Sequence, residues 1–385
     1  MTDSRWSVPE STVYARAREL LEADKPAVLA TVTDVEGNAY RRPGAKMLVT
    51  PDGDGLGSIT AGCLEDQINR IAADVLDSGC PRIETYDMME DDEDVWGLGV
   101  GCNGIIDVLL EPLTADYRPA LDSVAANEPV GVVTVLDGDA PAWSRGNYRP
   151  GKGFVEGSDA PAWVRDAVES EVKDHLEQER SGVVRVETDA GAAEVFVDAL
   201  TPAPKLLVVG SGHDVGPVVE LAANADFRVH VVGFRGTTDS DQFPSATEVN
   251  STSPARIRDT ESFDEDTYVV IMTHNFVDDR LALEELLETP VPYIGLMGPR
   301  ERFEELLAAM DDDETATTPT ETDLERVYTP IGLDLGGSTP YGIAHSIVAE
   351  VLAVSNDRQP GHLQAREGPI HDRVDVQSGE GAPTQ

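Results

Sequence analysis

What this 385-residue chain lacks first is positive charge: 29 Lys and Arg face 72 Asp and Glu, a formal net charge of −43. Nucleic acid and anionic membrane surfaces are bound through clustered Lys and Arg that displace counterions, and no such footprint is present. Neither is expected as a partner. Long apolar runs are missing as well. No stretch reaches the ~20 residues that cross a bilayer, and the opening Met1-Thr2-Asp3-Ser4-Arg5 has none of a signal peptide's apolar character, which points to a cytoplasmic protein. Cysteine is rare: Cys63, Cys80 and Cys102 are odd in number and widely spaced. That pattern fits no disulfide framework, CxxC zinc or redox site, or iron–sulfur ligation, so no metal site is expected and any special cysteine is a free thiol.

What is present suffices for globular structure. Apolar residues make up 40% of the chain, too many for wholesale disorder, and the length exceeds one ordinary core, so two domains are expected. The acids run through the whole chain. Self-repulsion of that size is costly in dilute salt and screened in strong salt, the balance of a halophile's cytoplasm; the alternative is an acidic partner-binding face.

From Pro9 to about Ala23 the spacing of Val13, Ala17, Leu20 and Leu21 predicts a helix. Short strands follow at 27–33, 46–50 and 57–60, separated by the turns Glu36-Gly37-Asn38 and Pro51-Asp52-Gly53-Asp54-Gly55. Residues 64–76 return to helical period and stop near Gly79, and 105–110 is a buried-strand run. A strand at 130–136, a Gly/Pro-rich stretch at 146–157, an acidic helix at 162–179 and a strand at 193–198 complete a mixed α/β N-terminal domain spanning 1–200. Thr201-Pro202-Ala203-Pro204 is a semi-rigid linker.

From 205 to 355 strands at 206–209, 229–232, 268–272 and 293–297 alternate with helices, the rhythm of a Rossmann-like doubly wound parallel sheet. A last helix takes Thr339 as N-cap and Pro340 at its first position, and turns Ile343, Ile347, Val351 and Val354 inward. Residues 311–323 read as an acidic surface loop and 356–385 as a disordered tail. No internal repeat is visible.

The strand Leu206-Leu207-Val208-Val209 runs into Gly210-Ser211-Gly212-His213-Asp214-Val215-Gly216 and then an apolar helix, the setting in which glycines let a pyrophosphate approach a helix N-terminus. The third glycine falls one residue late for the usual dinucleotide fingerprint. The second strand ends Gly233-Phe234-Arg235, without the acid that holds a ribose 2′-hydroxyl, so ordinary NAD binding is disfavoured. Arg235 either meets a phosphate or is a surface arginine. His213 and His274 follow two strands of one sheet and are expected at one crevice, as ligand contacts or acid/base groups, against the plain alternative of capping or packing. Gly298-Pro299-Arg300 adds an anion-binding corner.

In the first domain Cys63 sits at the head of a helix within Gly57-Ser58-Ile59-Thr60-Ala61-Gly62-Cys63-Leu64-Glu65. The helix dipole favours its thiolate; Glu65 and Asp66 oppose it. Cys102 lies in the glycine-dense Gly99-Val100-Gly101-Cys102-Asn103-Gly104. Each is alternatively a small buried hydrophobe, the role expected for Cys80.

The segments "GSITAGCLED", "GLGVGCNGIIDVLLEPL", "LLVVGSGHDVGPVVELA", "VIMTHNFVDDRLALEELL", "YIGLMGPRERFEELL" and "PIGLDLGGSTPYGIAHSIVAEVLAV" resemble, in order, the landmarks of the XdhC/CoxI family over about 12–355. The resemblance implies an N-terminal XdhC-type domain with two cysteines in glycine turns, joined to a Rossmann domain. It implies an accessory protein or chaperone, more than a stand-alone enzyme, that transiently binds a molybdopterin-type molybdenum cofactor, promotes its sulfuration and delivers it to a molybdenum hydroxylase of the xanthine or CO dehydrogenase type. Cys63 and Cys102 would carry the chemistry. The resemblance carries nucleotide-loop roles onto Gly210, Gly212 and His213, with a nucleotide as a candidate ligand there; with the glycine turns and strand ends read above, the expected cofactor-binding residues are Gly62, Cys63, Gly101, Cys102, Asn103, Gly210, Gly212, His213, His274 and Arg300. A cysteine desulfurase is a further candidate partner, and a homodimer is allowed. The alternative function is an NAD(P)-dependent oxidoreductase.

The charge balance makes one prediction independent of any family. The melting temperature should rise from low salt to molar KCl; a melting temperature unchanged over that range would remove the halophile reading.

Overall fold

The computed structural model describes residues 6–37, 39–87, 104–155, 157–236, 238–311, 319–365 and 367. It divides into two compact units, Met1–Pro204 with Ala223–Arg228, and Lys205–Ala222 with Val229–Gln385.

The first unit runs α1 (Glu10–Glu22), β1 (Val28–Gly37), β2 (Lys46–Val49), β3 (Gly55–Gly57), α2 (Glu65–Ser78), β4 (Arg82–Asp87), β5 (Gly104–Pro112), α3 (Arg118–Ala125), β6 (Val130–Gly138), β7 (Arg145–Arg149), β8 (Gly153–Phe154), α4 (Ala162–Glu177), β9 (Gly182–Thr188) and β10 (Gly191–Leu200). Two antiparallel five-stranded sheets result, ordered β3-β2-β1-β5-β4 and β8-β7-β6-β10-β9. Alternation along β1 sends Val28, Ala30 and Val32 to one face, where Ile68, Ala72 and Val75 of α2 cover them. In the same way α4 lays Val164, Val168 and Val172 on Val133 and Val195. The opposite faces share a third core, in which Leu29, Leu48, Val132 and Leu200 meet Ala17 and Leu20 of α1 and Ala120 and Leu121 of α3. Strand order, helix placement and core arrangement are the same in both halves. An internal repeat is thus present where the sequence showed none.

The shared core holds charge. Lys46 Nζ lies 2.8 Å from Asp198 Oδ2, with both side chains almost fully buried. Asp198 also accepts hydrogen bonds from Tyr117 Oη at 2.9 Å and Ser181 Oγ at 3.0 Å. Arg145 Nη2 donates to Glu111, again between buried groups, and its guanidinium lies 4.8 Å from the Tyr117 ring centre. Burial, with Asp198 and Glu111 adding, pushes the Tyr117 phenol well up, so it remains a neutral donor.

The second unit runs β11 (Lys205–Val209), α5 (Val215–Asn224), β12 (Arg228–Gly233), β13 (Glu248–Ser251), α6 (Ile257–Thr260), β14 (Thr267–Ile271), α7 (Phe276–Leu287), β15 (Tyr293–Leu296), α8 (Arg300–Asp311), α9 (Glu321–Glu325), β16 (Val327–Tyr328) and α10 (Pro340–Ser355). Its six strands are ordered β13-β12-β11-β14-β15-β16, and the pairs β11–β14, β12–β13, β14–β15 and β15–β16 are parallel. The strand order reverses between β11 and β14. That is the switch point at which ligands bind in open α/β sheets.

Three local expectations change. The strand placed at 57–60 ends at Gly57, whose φ of 88° and lack of a Cβ beside the Lys46 carbonyl turn the chain there. The Gly/Pro-rich stretch 146–157 contains β8 and most of β7, because a small residue at Gly146 admits the Phe154 ring. In α10, Ile347 and Val351 are buried as expected, but Ile343 is 39% exposed, lying off that stripe.

Removing one member of a buried pair leaves a bare charge, so Lys46→Met should cost about 3–5 kcal/mol in denaturant unfolding, and Lys46→Met with Asp198→Leu should recover most of that loss. Equal losses in the single and double variants would show that the pair is not what those residues contribute.

Candidate functional site

The loop between β3 and α2 carries Cys63. Gly62 has φ 108°, and a Cβ there would meet nothing within 4 Å. The positive φ rather than crowding explains the glycine. Cys63 is exposed. Its neighbours are tied down from one side: the Glu65 carboxylate accepts from Gly62 N at 3.1 Å, Leu64 N at 3.1 Å, Thr60 Oγ1 at 2.9 Å and Trp6 Nε1 at 3.3 Å. Glu65 therefore occupies the backbone donors on both sides of the thiol at the head of α2. In the sequence Glu65 counts only as an opposing charge; in the fold it also shapes the turn. Below the loop, Ser58 Oγ accepts from Arg41 Nη1 at 3.4 Å; Arg41 Nη2 donates to Glu10 at 2.6 Å, and Glu10 accepts from Lys46 N at 2.7 Å. The loop is thus linked by polar contacts to the buried pair. Burial raises the Glu10 pKa, against the pull of Lys46 and Arg41.

Gly101, Cys102 and Asn103 lie outside the described residues. Cys80, expected to be a buried hydrophobe, is exposed instead: it follows the left-handed Gly79 that ends α2, and its N–H donates to Ser78 Oγ at 3.3 Å.

In the second unit the ends of β11 and β14 come together. Gly210 has φ 147°, and a Cβ there would lie 2.5 Å from the Met272 carbonyl oxygen, so the two strand ends approach as only glycine permits. Just beyond, His274, at φ 56°, places Nε2 2.7 Å from Asp214 Oδ2, and Gly212 lies beside both side chains. His213 is exposed in the same loop. Asp214 adjoins His213 in the chain, yet no spacing rule marks it as the carboxylate that contacts His274.

Asn275 caps α7 by accepting from Val277 N at 3.1 Å and Asp278 N at 3.0 Å. Buried Asp279 accepts from Thr273 and from Arg302, which fixes the turn from β14 into α7. Arg235, just past the end of β12, is a surface arginine with its side chain 70% exposed. It donates from Nε to Asp278 Oδ2 at 2.8 Å. Arg300 is exposed at the start of α8, preceded by Gly298 at φ 133°.

A parallel sheet with a glycine turn at its switch point defines a Rossmann-type unit, here joined to an antiparallel unit with an exposed thiol loop. The chain belongs to the XdhC and CoxI family. Residues 206–351 match the XdhC Rossmann domain, and residues 20–87 match the XdhC and CoxI family model. A crystal structure described as a xanthine dehydrogenase from Bacillus halodurans is 31% identical, with a TM-score of 0.70 over 89% of this chain and 96% of that one. A probable xanthine dehydrogenase subunit from Bacillus subtilis (strain 168) is 29% identical over 86% of this chain and 94% of its own. The molybdenum cofactor insertion chaperone PaoD of Escherichia coli (strain K12) is 22% identical over 91% and 93%. No helix among the described residues is long and apolar enough to cross a membrane.

Because the Glu65 carboxylate braces the turn that carries Cys63 by accepting from Gly62 N and Leu64 N, Glu65→Gln should loosen that turn and speed alkylation of Cys63 by about 3-fold, the effect of one weakened hydrogen bond. Peptide mapping separates Cys63 from the other cysteines. An unchanged or slower rate would mean that Glu65 does not govern the thiol.

Proposed function

We propose that this protein is an accessory chaperone for a molybdenum hydroxylase of the xanthine dehydrogenase type, receiving the molybdopterin-type cofactor as cargo and passing it on, with sulfuration of the cofactor as the step that needs a thiol. The observation that carries the reading is the exposed Cys63 on a glycine turn, in a chain that aligns over nearly its whole length with a molybdenum cofactor insertion chaperone. A thiolate is a soft ligand and nucleophile suited to molybdenum–sulfur chemistry, and an exposed loop allows cargo to enter and leave. Cys102, from the glycine-rich segment Gly99–Gly104 of the sequence, is the proposed partner thiol. A cysteine desulfurase is the natural sulfur donor. The crevice formed by Gly210, Gly212, His213 and His274 is the proposed seat of the cofactor's phosphate-bearing end or of a nucleotide, with Arg300 as an outlying cation.

The absence of an acid at the end of β12 supports this assignment over a dinucleotide oxidoreductase, since Gly233 offers no carboxylate to a ribose 2′-hydroxyl. NADH should accordingly bind weakly in calorimetry; tight binding with substrate-dependent oxidation would make the oxidoreductase reading the right one.

The thiol role is tested by expressing Cys63→Ser and Cys102→Ser beside a candidate hydroxylase, with Cys80→Ser as control. Melting temperatures near that of the natural protein should accompany lost cofactor or an inactive hydroxylase for the first two only. Full hydroxylase activation by the Cys63→Ser, Cys102→Ser double variant would contradict it.

A further inference from the structure

We infer that the first unit is one αβββαββ repeat present twice and closed on itself about a pseudo-two-fold axis.

The equivalence holds residue by residue. Gly104–Thr114 and Gly191–Thr201 align without a gap: Gly104 with Gly191, Val108 with Val195, Leu113 with Leu200 and Thr114 with Thr201 are identical, and acid faces acid at Asp107/Glu194 and Glu111/Asp198. The stretch from Tyr14 to Asp34 matches Tyr117 to Asp137 in the same way, with Ala17/Ala120, Pro26/Pro129, Thr31/Thr134 and Val32/Val135 identical. Backbone irregularities recur at matched places. Asp24 and Asn127 are left-handed, with φ 51° and 61°; Gly44 and Trp143 likewise, with φ 97° and 67°. Each sheet has its register shift beside the same residue, between Val32 and Asp34 in β1 and opposite Val135 and Asp137 of β6. Bulges and left-handed non-glycine residues are uncommon enough that their coincidence argues for one ancestral repeat.

The contacts across the shared core are reciprocal. Thr31 pairs with Lys46 and Thr134 with Arg145, while Leu29 pairs with Glu111 and Val132 with Asp198. Lys46 and Arg145 are therefore equivalent positions, and so are Glu111 and Asp198. Each cation reaches the other copy's acid: Lys46 binds Asp198 and Arg145 binds Glu111. Each also lies over its equivalent tyrosine, Lys46 5.7 Å from the Tyr14 ring centre and Arg145 4.8 Å from that of Tyr117. Residue i meeting j while j meets i is the signature of an isologous interface.

The copies differ at the site. After β8, Asp159 accepts from Arg145 N and Ser158 accepts from Asn147 N at 3.3 Å, so this loop folds back onto β7 and leads through Pro161 into α4. In the first copy Glu10 of α1 takes that place on Lys46 N, and the loop is left outside with Cys63 exposed.

The test exchanges residues 108–114 and 195–201 in the full chain, in register, beside a control in which the same exchange is displaced by one residue. Equivalent strands should give cooperative unfolding within about 5 °C of the natural chain, whereas the displaced exchange turns the buried acids to the wrong face and loses the transition. An in-register variant as unfolded as the control overturns the duplication.

Discussion

Two buried ion pairs crossing the same core constrain the first unit more than any other feature. Lys46 and Arg145 are cations in an apolar layer, and neither could stay charged there without the acid that the opposite sheet presents. Their partners fix how the two sheets face each other, because a slip of one residue in β5 or β10 would turn Glu111 or Asp198 to the outer face. Burial works against the Arg145 charge, and the nearby Glu111 outweighs it, holding the guanidinium above its ordinary range. Apolar residues of similar size would serve stability nearly as well. The pairs therefore specify register, and the Tyr117 hydroxyl and Ser181 complete the shell around Asp198.

The thiol loop inherits its position from this arrangement. Lys46 contributes its side chain to the core and its backbone N–H to Glu10, and Glu10 in turn holds Arg41 below Ser58. Above that chain Glu65 shapes the turn at Gly62 and Leu64. The result is an exposed sulfur on a braced backbone. The second unit is built differently, with its polar groups gathered at the switch point of a parallel sheet, where Asp214 engages His274 and Asp278 engages Arg235.

The parts legible in the sequence are those with a local signal. The 3.6-residue period marked α1, α2, α4 and α10, and alternation with glycine turns marked the Rossmann strands. Thr339 and Pro340 start α10 as expected, with Thr339 Oγ1 accepting from Gly342 N at 3.1 Å. Edge strands β4, β8 and β9 gave weaker signals because their residues are mostly half-buried or exposed. The repeat was hidden for a related reason: its identities are scattered, and the connection from Asp87 to Gly104 in one copy corresponds to the tight turn from Thr188 to Gly191 in the other. Side-chain partnerships such as Glu65 with the Cys63 turn, or Arg235 with Asp278, depend on tertiary placement that no spacing rule encodes. The family resemblance supplied roles for cysteines and glycines that the local motifs had already singled out. It did not supply the acids that brace them.

Service of the exposed thiol loop to a molybdenum-bearing pterin, as proposed above, is open to a direct experiment. The direct measurement is mass spectrometry of the small molecule that copurifies with the protein under reducing, anaerobic, high-salt conditions. A molybdopterin-type species should be found, and its yield should fall in the Cys63→Ser variant. A nicotinamide dinucleotide in its place, retained equally by that variant, would contradict the account.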